Sequence, residues 1–331
     1  MNRHFLQSTA WQAFQESLGR TTFRDSGPGW EYLAILERST GNSRLYCPYG
    51  PTADDEHSLA AALNSLTQLG KKYHVTFLRV EPTNLDFAAY LQAHGWKKVT
   101  YQKLQPEHSH VIDLTQPQDQ LIAHMAQPVR NVYRNYHKKG IVVHRSTDPH
   151  DIDILLKFVH QVARHRGITP HPDSYFRQQA ATLFPLGAAT LYYAALDNQP
   201  IAAALFYHSS DTLYYAHAGA SSDPAHRKLN AGTALLAEAI IDAQQHGLTK
   251  ADLYGIAPDD ADKNHPWAGF TKFKRSFGGR DVTFAGAWDL PLQRSRYWLY
   301  RAYQTLRYNA PARYYPRFYR PFFCGIIGLV I

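Results

Sequence analysis

Hydrophobic and polar positions along the chain repeat with helical and strand periods, and the segments that they define come in a similar order twice. The first half predicts helix Thr9 to Leu18, strands Trp30 to Arg38 and Arg44 to Tyr49, helix Glu56 to Lys72, strand Val75 to Val80, helix Leu85 to His94 and a closing strand region, Lys97 to Leu104. The second half predicts strand Ile141 to His144, helices Asp148 to Arg166 and Asp173 to Leu183, strands Thr190 to Leu196, Ile201 to Tyr207 and Thr212 to Ala218, helix Ala231 to His246, strand Ala251 to Ile256, a short helix around Lys274, and strand Val282 to Trp288. Strands that feed a crossover helix predict a mixed α/β layer in each half, so the expected fold class is α/β with two similar domains.

A basic helix is predicted between the two halves, from Leu121 to Lys139, and Gly140 ends it. Arg130 and Arg134 are four residues apart, so they share one face of this helix. Such a face fits contact with an RNA backbone and fits a solvated surface equally well. The predicted domains are residues 1–140, residues 141–290 and a C-terminal tail of residues 291–331.

The length of 331 residues favours two hydrophobic cores over one. Cys47 and Cys324 are far apart and form neither a CxxC pair nor a disulfide framework, which favours a reducing compartment. Met1 to Leu6 lacks the apolar region of a signal peptide, and no stretch approaches the roughly 20 apolar residues of a membrane span. A cytoplasmic protein is therefore expected.

The net charge of +8 is concentrated in the tail, where seven arginines lie between Pro291 and Ile331 without any lysine or acidic residue. Seven tyrosines interleave with these arginines. Arginine pairs with phosphate and aromatic rings stack or anchor at interfaces, so RNA and an anionic membrane surface both fit this segment. A helix with solvated arginines is the third interpretation. The last ten residues, Phe322 to Ile331, are mostly apolar but too few to span a bilayer.

The most specific pattern in the chain surrounds Lys274. It consists of a strand ending in Tyr254-Gly255-Ile256, a polar loop, a short helix within Gly269 to Gly279, and a strand reaching Asp289-Leu290-Pro291. On the short helix, Phe270, Phe273 and Phe277 form an apolar stripe that Lys274 borders. A cation beside a buried face is weakly screened, so it can stabilise an oxyanion; a surface lysine with a buried stem is the alternative interpretation.

This pattern resembles the Fem (FemABX) family, whose members are built from two N-acetyltransferase-like (GNAT) domains. The N-terminal half adds Phe5-Leu6-Gln7-Ser8, Trp11, Tyr46-Cys47-Pro48-Tyr49-Gly50-Pro51 and Arg79-Val80-Glu81-Pro82, so the resemblance extends to about Pro291. It implies transfer of an amino acid from aminoacyl-tRNA to the stem peptide of a peptidoglycan precursor, either UDP-MurNAc-pentapeptide or lipid II. It implies no cofactor besides the tRNA co-substrate. The coiled-coil arm of some members has no heptad counterpart in this sequence.

The resemblance also implies roles for individual residues. It assigns Lys274 to oxyanion stabilisation and Phe273 to a backbone contact or to the wall of the site, with the acceptor held by the N-terminal half. The implied substrate-binding residues are Tyr215, Arg227, Tyr254, Gly255, Phe277, Gln15, Tyr49 and Arg79, and the implied tRNA-binding residues are Arg130, Arg134 and Lys228. Gln15 and Tyr49 stand where the family often has basic residues, which leaves Arg44, Arg79 or Lys103 as candidates to hold a diphosphate.

The start of the helix Ala231 to His246 distinguishes this function from that of an acyl-CoA enzyme. Acetyl-CoA users resemble (Q/R)-x-x-G-x-(G/A) here, because glycines let helix-start N–H groups approach a pyrophosphate. This chain has Arg227-Lys228-Leu229-Asn230-Ala231-Gly232, and Asn230 is a favourable N-cap residue. A structural helix start is expected here, and acetyl-CoA binding is not. An acyl-CoA N-acyltransferase and a non-catalytic RNA- or membrane-binding protein remain as the alternatives.

Other chemistries have weaker support in the sequence. His108-Ser109-His110 has no HExxH or cysteine partner, so packing or exposed histidines are expected and a metal site is not. Asp259-Asp260-Ala261-Asp262 lacks a glutamate at EF-hand spacing and predicts an acidic loop beside the site. The transferred amino acid, the form of the acceptor, the number of residues added and the oligomeric state are left open.

Overall fold

The computed structural model describes residues 3–101, 104–166, 169–262 and 264–309. Within them the chain forms two units: unit 1 takes residues up to Glu107 and from Thr283 onward, and unit 2 takes His108–Val282. Each unit contains one mixed sheet with flanking helices, which confirms the predicted α/β class. No helix in the described part of the chain is long and apolar enough to cross a membrane.

The elements follow one another in both units as strands with intervening helices. The helices are α1 (Thr9–Ser17), α2 (Glu56–Lys72), α3 (Phe87–Ala93), α4 (Gln118–His124), α5 (Gln127–Asn135), α6 (Ile152–Arg166), α7 (Asp173–Leu183), α8 (Pro224–Arg227), α9 (Ala231–Gln245), α10 (Ala268–Arg275) and α11 (Arg294–Asn309). The strands are β1 (Thr21–Gly27), β2 (Trp30–Ser39), β3 (Asn42–Cys47), β4 (Thr52–Ala53), β5 (Phe77–Val80), β6 (Lys97–Lys98), β7 (His108–Asp113), β8 (Ile141–Ser146), β9 (Ala189–Leu196), β10 (Gln199–His208), β11 (Thr212–Ala220), β12 (Lys250–Gly255), β13 (Arg280–Thr283) and β14 (Trp288–Pro291). Short 3-10 helices lie at Phe5–Gln7, Tyr136–Lys139 and Pro149–Asp151.

The sheet of unit 1 has the strand order β1-β2-β3-β5-β14-β6, and β4 also pairs with β2. Strand β14 lies antiparallel between β5 and β6, although it comes from the far end of the sequence. The prediction of one strand from Val282 to Trp288 is wrong, because the segment divides between the two sheets. Gly286, whose φ of 73° is in the left-handed region, lies between the two strands.

The sheet of unit 2 has the order β13-β7-β12-β11-β10-β9-β8. Strands β11 and β12 are parallel, but they pair only over Thr212–Tyr214 and Lys250–Asp252. Both strands continue beyond this short ladder, β11 to Ala220 and β12 to Gly255, without further pairing between them. In open α/β sheets ligands bind at the carboxyl ends of strands that part in this way. The predicted site residues Tyr254 and Gly255 lie at such an end.

The predicted basic helix from Leu121 to Lys139 is three segments in the structure: α4, α5 and a 3-10 turn. Met125 is extended, and Pro128 occupies the first turn of α5, where a missing N–H costs nothing. Arg130 Nη1 donates to the carbonyls of Ala123 and Met125, so this side chain closes the end of α4. Arg134 is exposed. The extended Met125, the proline in the first turn of α5 and the Arg130 hydrogen bonds explain the break, and none of them is visible in the charge pattern.

The units divide the chain at other points than the predicted limits of residues 140 and 290. The basic segment belongs to unit 2, because α5 packs on α9. The first part of the predicted tail belongs to unit 1, where α11 packs on β3 and the Tyr297 ring lies 5.2 Å from that of Phe77. Residues 310–331 lie outside the described part of the chain.

Candidate active site

Lys274 lies at the centre of the buried face of α10, with 2% of its surface exposed. Its Nζ donates hydrogen bonds to the carbonyl oxygens of Gly255, at 2.7 Å, and Tyr254, at 3.2 Å. The neighbours three residues before and after it, Thr271 and Phe277, are also buried. The buried stripe is therefore rotated relative to the predicted one, and Lys274 lies within it rather than at its border.

The end of β12 is bent so that its carbonyls face this lysine. Tyr254 has a φ of 57°, a left-handed conformation that is unfavourable for a bulky side chain. The Asp252 carboxylate holds the turn, because its Oδ1 accepts the Tyr254 N–H at 2.7 Å and the Ser109 hydroxyl. Asp252 is 5% exposed and Ser109 is fully buried. A buried acidic side chain thus positions the two acceptors of Lys274.

The protonation of Lys274 is unusual for a lysine. Burial disfavours the ammonium and lowers the pKa of Lys274 to about 7, although the charge of Asp252 opposes this shift. Burial also raises the pKa of Asp252, against the hydrogen bonds from Ser109 and Tyr254 and the charge of Lys274. A group with a pKa near neutrality can hold or release a proton at working pH, which is what acid–base and oxyanion chemistry need.

Phe273 lines a cavity of about 240 Å³ at the start of α9, together with Arg227 and Asn230. Asn230 occupies the N-cap position of α9, but its side chain makes no capping hydrogen bond. The predicted capping role of this side chain is therefore wrong. Asn230 instead adopts a φ of 56°, a conformation that glycine favours and that asparagine tolerates. Asn230 therefore keeps a glycine-like backbone at the position where acetyl-CoA users have a glycine. The positive end of α9 and the Arg227 guanidinium make this cavity suited to an anion.

The predicted acidic loop lies beside α10, as expected. Asp259 and Asp262 line a second cavity of about 450 Å³ with Thr271 and Arg275. Arg275 pairs with Asp259 and also with Asp281, so part of the loop's charge is neutralised. Among the residues with described coordinates, no group of three or more histidine, cysteine or acidic side chains is arranged to hold a metal ion.

The other predicted residues of unit 2 fall into two groups. Tyr215 and Phe277 belong to the hydrophobic core, where the Phe277 ring lies 5.1 Å from that of Phe273. Lys228 is exposed after α8, next to Arg227. The structure thus joins Lys274 directly to Tyr254 and Gly255, whereas Tyr215 has a packing position.

The three predicted substrate residues of unit 1 make internal contacts. Gln15 is 1% exposed and accepts a hydrogen bond from Arg20 at 2.6 Å. The Tyr49 hydroxyl donates to the Pro106 carbonyl at 3.0 Å. Arg79 has no exposed surface, and its guanidinium pairs with Asp289. This buried position does not fit the predicted role of Arg79 in binding a diphosphate.

Two further candidates for a diphosphate have different positions. Arg44 pairs with Glu37 and lines a groove of unit 1. Lys103 lies outside the described residues. The predicted packing histidine is confirmed for His110, which is 2% exposed and bonds through Nδ1 to Asp281 and through Nε2 to the Gly278 carbonyl.

Sequence reasoning missed Asp252, Ser109 and Thr271. Thr271 Oγ1 accepts the Ala257 N–H at 2.8 Å, which ties α10 to the chain that follows β12. One signal was available: Asp252 stands in the predicted apolar strand Ala251 to Ile256, where an acidic side chain is costly unless it has partners.

Comparison with known proteins places this geometry in an acyltransferase-type fold. The sequence model of the acetyltransferase (GNAT) domain matches residues 123–268. The crystal structure of FemX superimposes with a TM-score of 0.80 at 17% identity, covering 90% of this chain and 94% of that chain. The C-terminal DUF2156 domain assigned to a lysylphosphatidylglycerol synthetase from Agrobacterium fabrum gives a TM-score of 0.58 at 10% identity, covering 90% of this chain and 93% of that chain. L-PGS from Bacillus licheniformis gives a TM-score of 0.54 at 13% identity, covering 88% of this chain and 95% of that chain.

These likenesses confirm the predicted Fem-type fold with two GNAT-like domains. No protein with a curated description matches the sequence significantly.

Proposed function

We propose that this protein is a tRNA-dependent aminoacyltransferase that adds an amino acid to the stem peptide of a peptidoglycan precursor. The observation that carries the proposal is the buried Lys274, whose pKa lies near 7 and whose Nζ sits at the end of β12 in a fold shared with FemX. A buried ammonium at this position is weakly screened by solvent, and such a charge stabilises the oxyanion that forms during acyl transfer.

The reaction forms one bond and breaks another. The acceptor amine attacks the ester carbonyl of aminoacyl-tRNA, and the carbonyl oxygen becomes a tetrahedral oxyanion. Lys274, as an ammonium, stabilises this charge through Nζ. Collapse of the intermediate expels the ribose oxygen, which gains the proton that the amine loses. The new amide then joins the amino acid to the acceptor.

We assign donor recognition to basic residues of unit 2. Arg227 and Phe273 line the cavity at the start of α9, and a phosphate near the 3′ end of tRNA fits its helix dipole and guanidinium. Lys228 and Arg134 are exposed and free to contact the RNA backbone, whereas Arg130 reaches it only by leaving the carbonyls that it now binds. Of the three proposed tRNA-binding residues, Arg130 therefore has the least support from the structure.

Acceptor recognition is assigned to the N-terminal half, as the family resemblance implies. UDP-MurNAc-pentapeptide and lipid II share the stem peptide and a diphosphate, so both are proposed acceptors. The enzyme needs no cofactor beyond aminoacyl-tRNA in this scheme. A cytoplasmic location follows from the use of tRNA, and contact with the inner membrane face would bring a lipid-linked acceptor within reach.

The deciding experiment incubates the full-length protein with a pool of tRNA charged with labelled amino acids and with either acceptor. We expect label in the acceptor, with a loss of ribonuclease-sensitive transfer in Lys274→Ala. Lys272→Ala is the matched control, because this lysine is on the exposed side of the same helix. Absence of transfer to both acceptors with every charged tRNA would refute the proposal.

An acyl-CoA N-acyltransferase is the second candidate, and one observation favours it. The left-handed backbone at Asn230 keeps the geometry that a pyrophosphate-binding turn requires. Asn230 nevertheless lines the small cavity where a CoA pyrophosphate would lie. We expect calorimetric titration to detect no micromolar binding of acetyl-CoA, and we expect Asn230→Gly to increase the affinity. Micromolar binding by the unchanged protein would favour the second candidate.

A further inference from the structure

Helix α11 has two faces of different character. Its inner face packs into unit 1: Tyr297 has no exposed surface, its hydroxyl donates to Asp289 at 3.1 Å, and Gln304 is 9% exposed. These two residues are seven positions apart, so they mark one side of the helix. The inner side is therefore already occupied by the protein's own core.

The outer face of α11 is apolar and uncovered in the described residues. Leu299 is 73% exposed, Tyr303 53%, Leu306 72% and Trp298 49%. Leu299, Tyr303 and Leu306 recur at spacings of four and three, which places them in one stripe opposite Tyr297 and Gln304. Elsewhere in the described chain the exposed large hydrophobic residues are dispersed, at Leu85, Val142 and Leu186. A contiguous apolar stripe of this kind marks an interaction surface.

The charged residues of α11 are all arginines. Arg294 and Arg296 are exposed in the first turn, and the Arg301 guanidinium lies 5.1 Å from the centre of the Trp298 ring. The helix has no acidic residue, and the chain that follows, residues 310–331, adds three arginines and again no acidic residue. A cationic helix with leucine, tryptophan and tyrosine on its outer face has the composition of one that lies in a membrane interface.

We propose that the outer face of α11, defined as Trp298, Leu299, Tyr303 and Leu306, docks on the surface of an anionic phospholipid membrane. The leucines and aromatic rings enter the boundary between headgroups and acyl chains, and the flanking arginines contact lipid phosphates. This inference goes beyond the proposed reaction and does not depend on it.

Charge complementarity and apolar exposure together select the membrane among the partners of this surface. RNA offers phosphates to the arginines, but RNA contact gives no reason for two leucines exposed by more than 70%. A second copy of the same face brings the arginines of two helices together, which is electrostatically unfavourable. An anionic bilayer supplies both the negative charge and the apolar phase.

The test measures binding of the full-length protein to vesicles of phosphatidylcholine with and without phosphatidylglycerol. We expect the unchanged protein to bind the anionic vesicles. We expect the double variant Leu299→Glu/Leu306→Glu to bind them at least about tenfold more weakly. Leu85→Glu/Leu186→Glu is the control, since these leucines are also at least half exposed but lie in turns away from α11, and it should bind as the unchanged protein does. Circular dichroism and thermal melts verify that each variant is folded.

A second variant separates charge from apolar contact. Arg294→Gln/Arg296→Gln should weaken binding to anionic vesicles and reduce its dependence on salt. Three results would each overturn the proposal. The first is absence of vesicle binding by the unchanged protein. The second is vesicle binding by the leucine double variant that equals that of the unchanged protein. The third is loss of self-association or of tRNA binding in that variant while its affinity for vesicles stays the same.

Discussion

Among the residues that the structure describes, two long cationic side chains are almost fully buried, Arg79 in unit 1 and Lys274 in unit 2, and they differ in their partners. Arg79 in unit 1 has no exposed surface, and its Nε and Nη2 donate to the two carboxylate oxygens of Asp289 at 2.7 and 2.9 Å. Lys274 in unit 2 is 2% exposed, and its Nζ donates to neutral backbone carbonyls. Burial alone would lower the pKa of both, yet Asp289 keeps that of Arg79 well above its usual value, while that of Lys274 falls to about 7.

The comparison separates structural charges from chemical ones. A buried cation with a bidentate carboxylate is fixed in its charged form and contributes to the architecture. A buried cation with carbonyl partners is near its titration point and can respond to a negative charge that appears during a reaction. Burial is therefore the same for both residues, and the charge of the hydrogen-bond acceptors is what separates Arg79 from Lys274, the residue that we propose to act in catalysis.

The largest expected effect breaks the structural cation. Arg79→Met should lower the free energy of unfolding by roughly 3–5 kcal/mol, because it leaves the Asp289 carboxylate buried without its cation. Denaturant titration measures the change, and Arg38→Met, an exposed arginine of the same unit, should have no measurable effect. A similar free energy of unfolding in Arg79→Met and the unchanged protein would show that the pair is not a structural element.

The next effect concerns catalysis by the chemical cation. Lys274→Ala should lower kcat roughly 10²–10³-fold and change KM little, since an oxyanion contact acts mainly in the transition state. Steady-state kinetics of aminoacyl transfer provide the measurement. Equal kcat values in the variant and the unchanged protein would remove Lys274 from the mechanism.

Stability as a function of pH tests the buried lysine without any assay of activity. Between pH 7 and about 10.5, the unfolded chain keeps a proton on Lys274 that the folded protein has lost. The free energy of unfolding should therefore rise with pH, relative to that of Lys274→Met, by about 1.4 kcal/mol per pH unit. Below pH 7 both states are protonated and the difference should level off. A difference that stays constant from pH 6 to pH 10 would mean that the pKa of Lys274 is not shifted.

The smallest expected effect comes from the acidic neighbour. Asp252→Asn keeps an oxygen acceptor for the Tyr254 N–H but removes the charge that raises the pKa of Lys274. The fall in kcat above neutral pH, which reflects loss of the ammonium, should then move to lower pH. Asp252→Ala should also lower kcat at every pH, because it releases the turn at Tyr254. Identical pH profiles for Asp252→Asn and the unchanged protein would contradict the assigned coupling.

Much of the secondary structure followed from periodicity alone. The predicted limits of α2 and α7 agree with the structure at both ends, because each helix has a clear amphipathic pattern. Strand β1 was missed because its sequence, Thr-Thr-Phe-Arg-Asp-Ser-Gly, is mostly polar and none of its residues is buried at this sheet edge. The break at Met125 was missed because the charge pattern continues across it, although Pro128 marks the first turn of a new helix that starts at Gln127.

The position of Lys274 could be predicted only in part. The phenylalanine spacing placed it near a buried face, but the orientation of α10 depends on contacts from distant segments, such as the bond between Thr271 and Ala257. The turn at Tyr254 depends on Asp252 and on Ser109, which lies 143 positions from that aspartate in the sequence. Such long-range hydrogen bonds leave no periodic trace in a single sequence.

The late strand β14 has a consequence for synthesis of the chain. The Arg79 and Asp289 side chains are 210 positions apart, and the sheet of unit 1 stays open between β5 and β6 until residues 288–291 have left the ribosome. Unit 2 is continuous from His108 to Val282 and can complete its own sheet earlier during translation. The first segment to be made is thus among the last to be closed, and a nascent chain that stalls before β14 would expose the edges of β5 and β6 to chaperones and to aggregation.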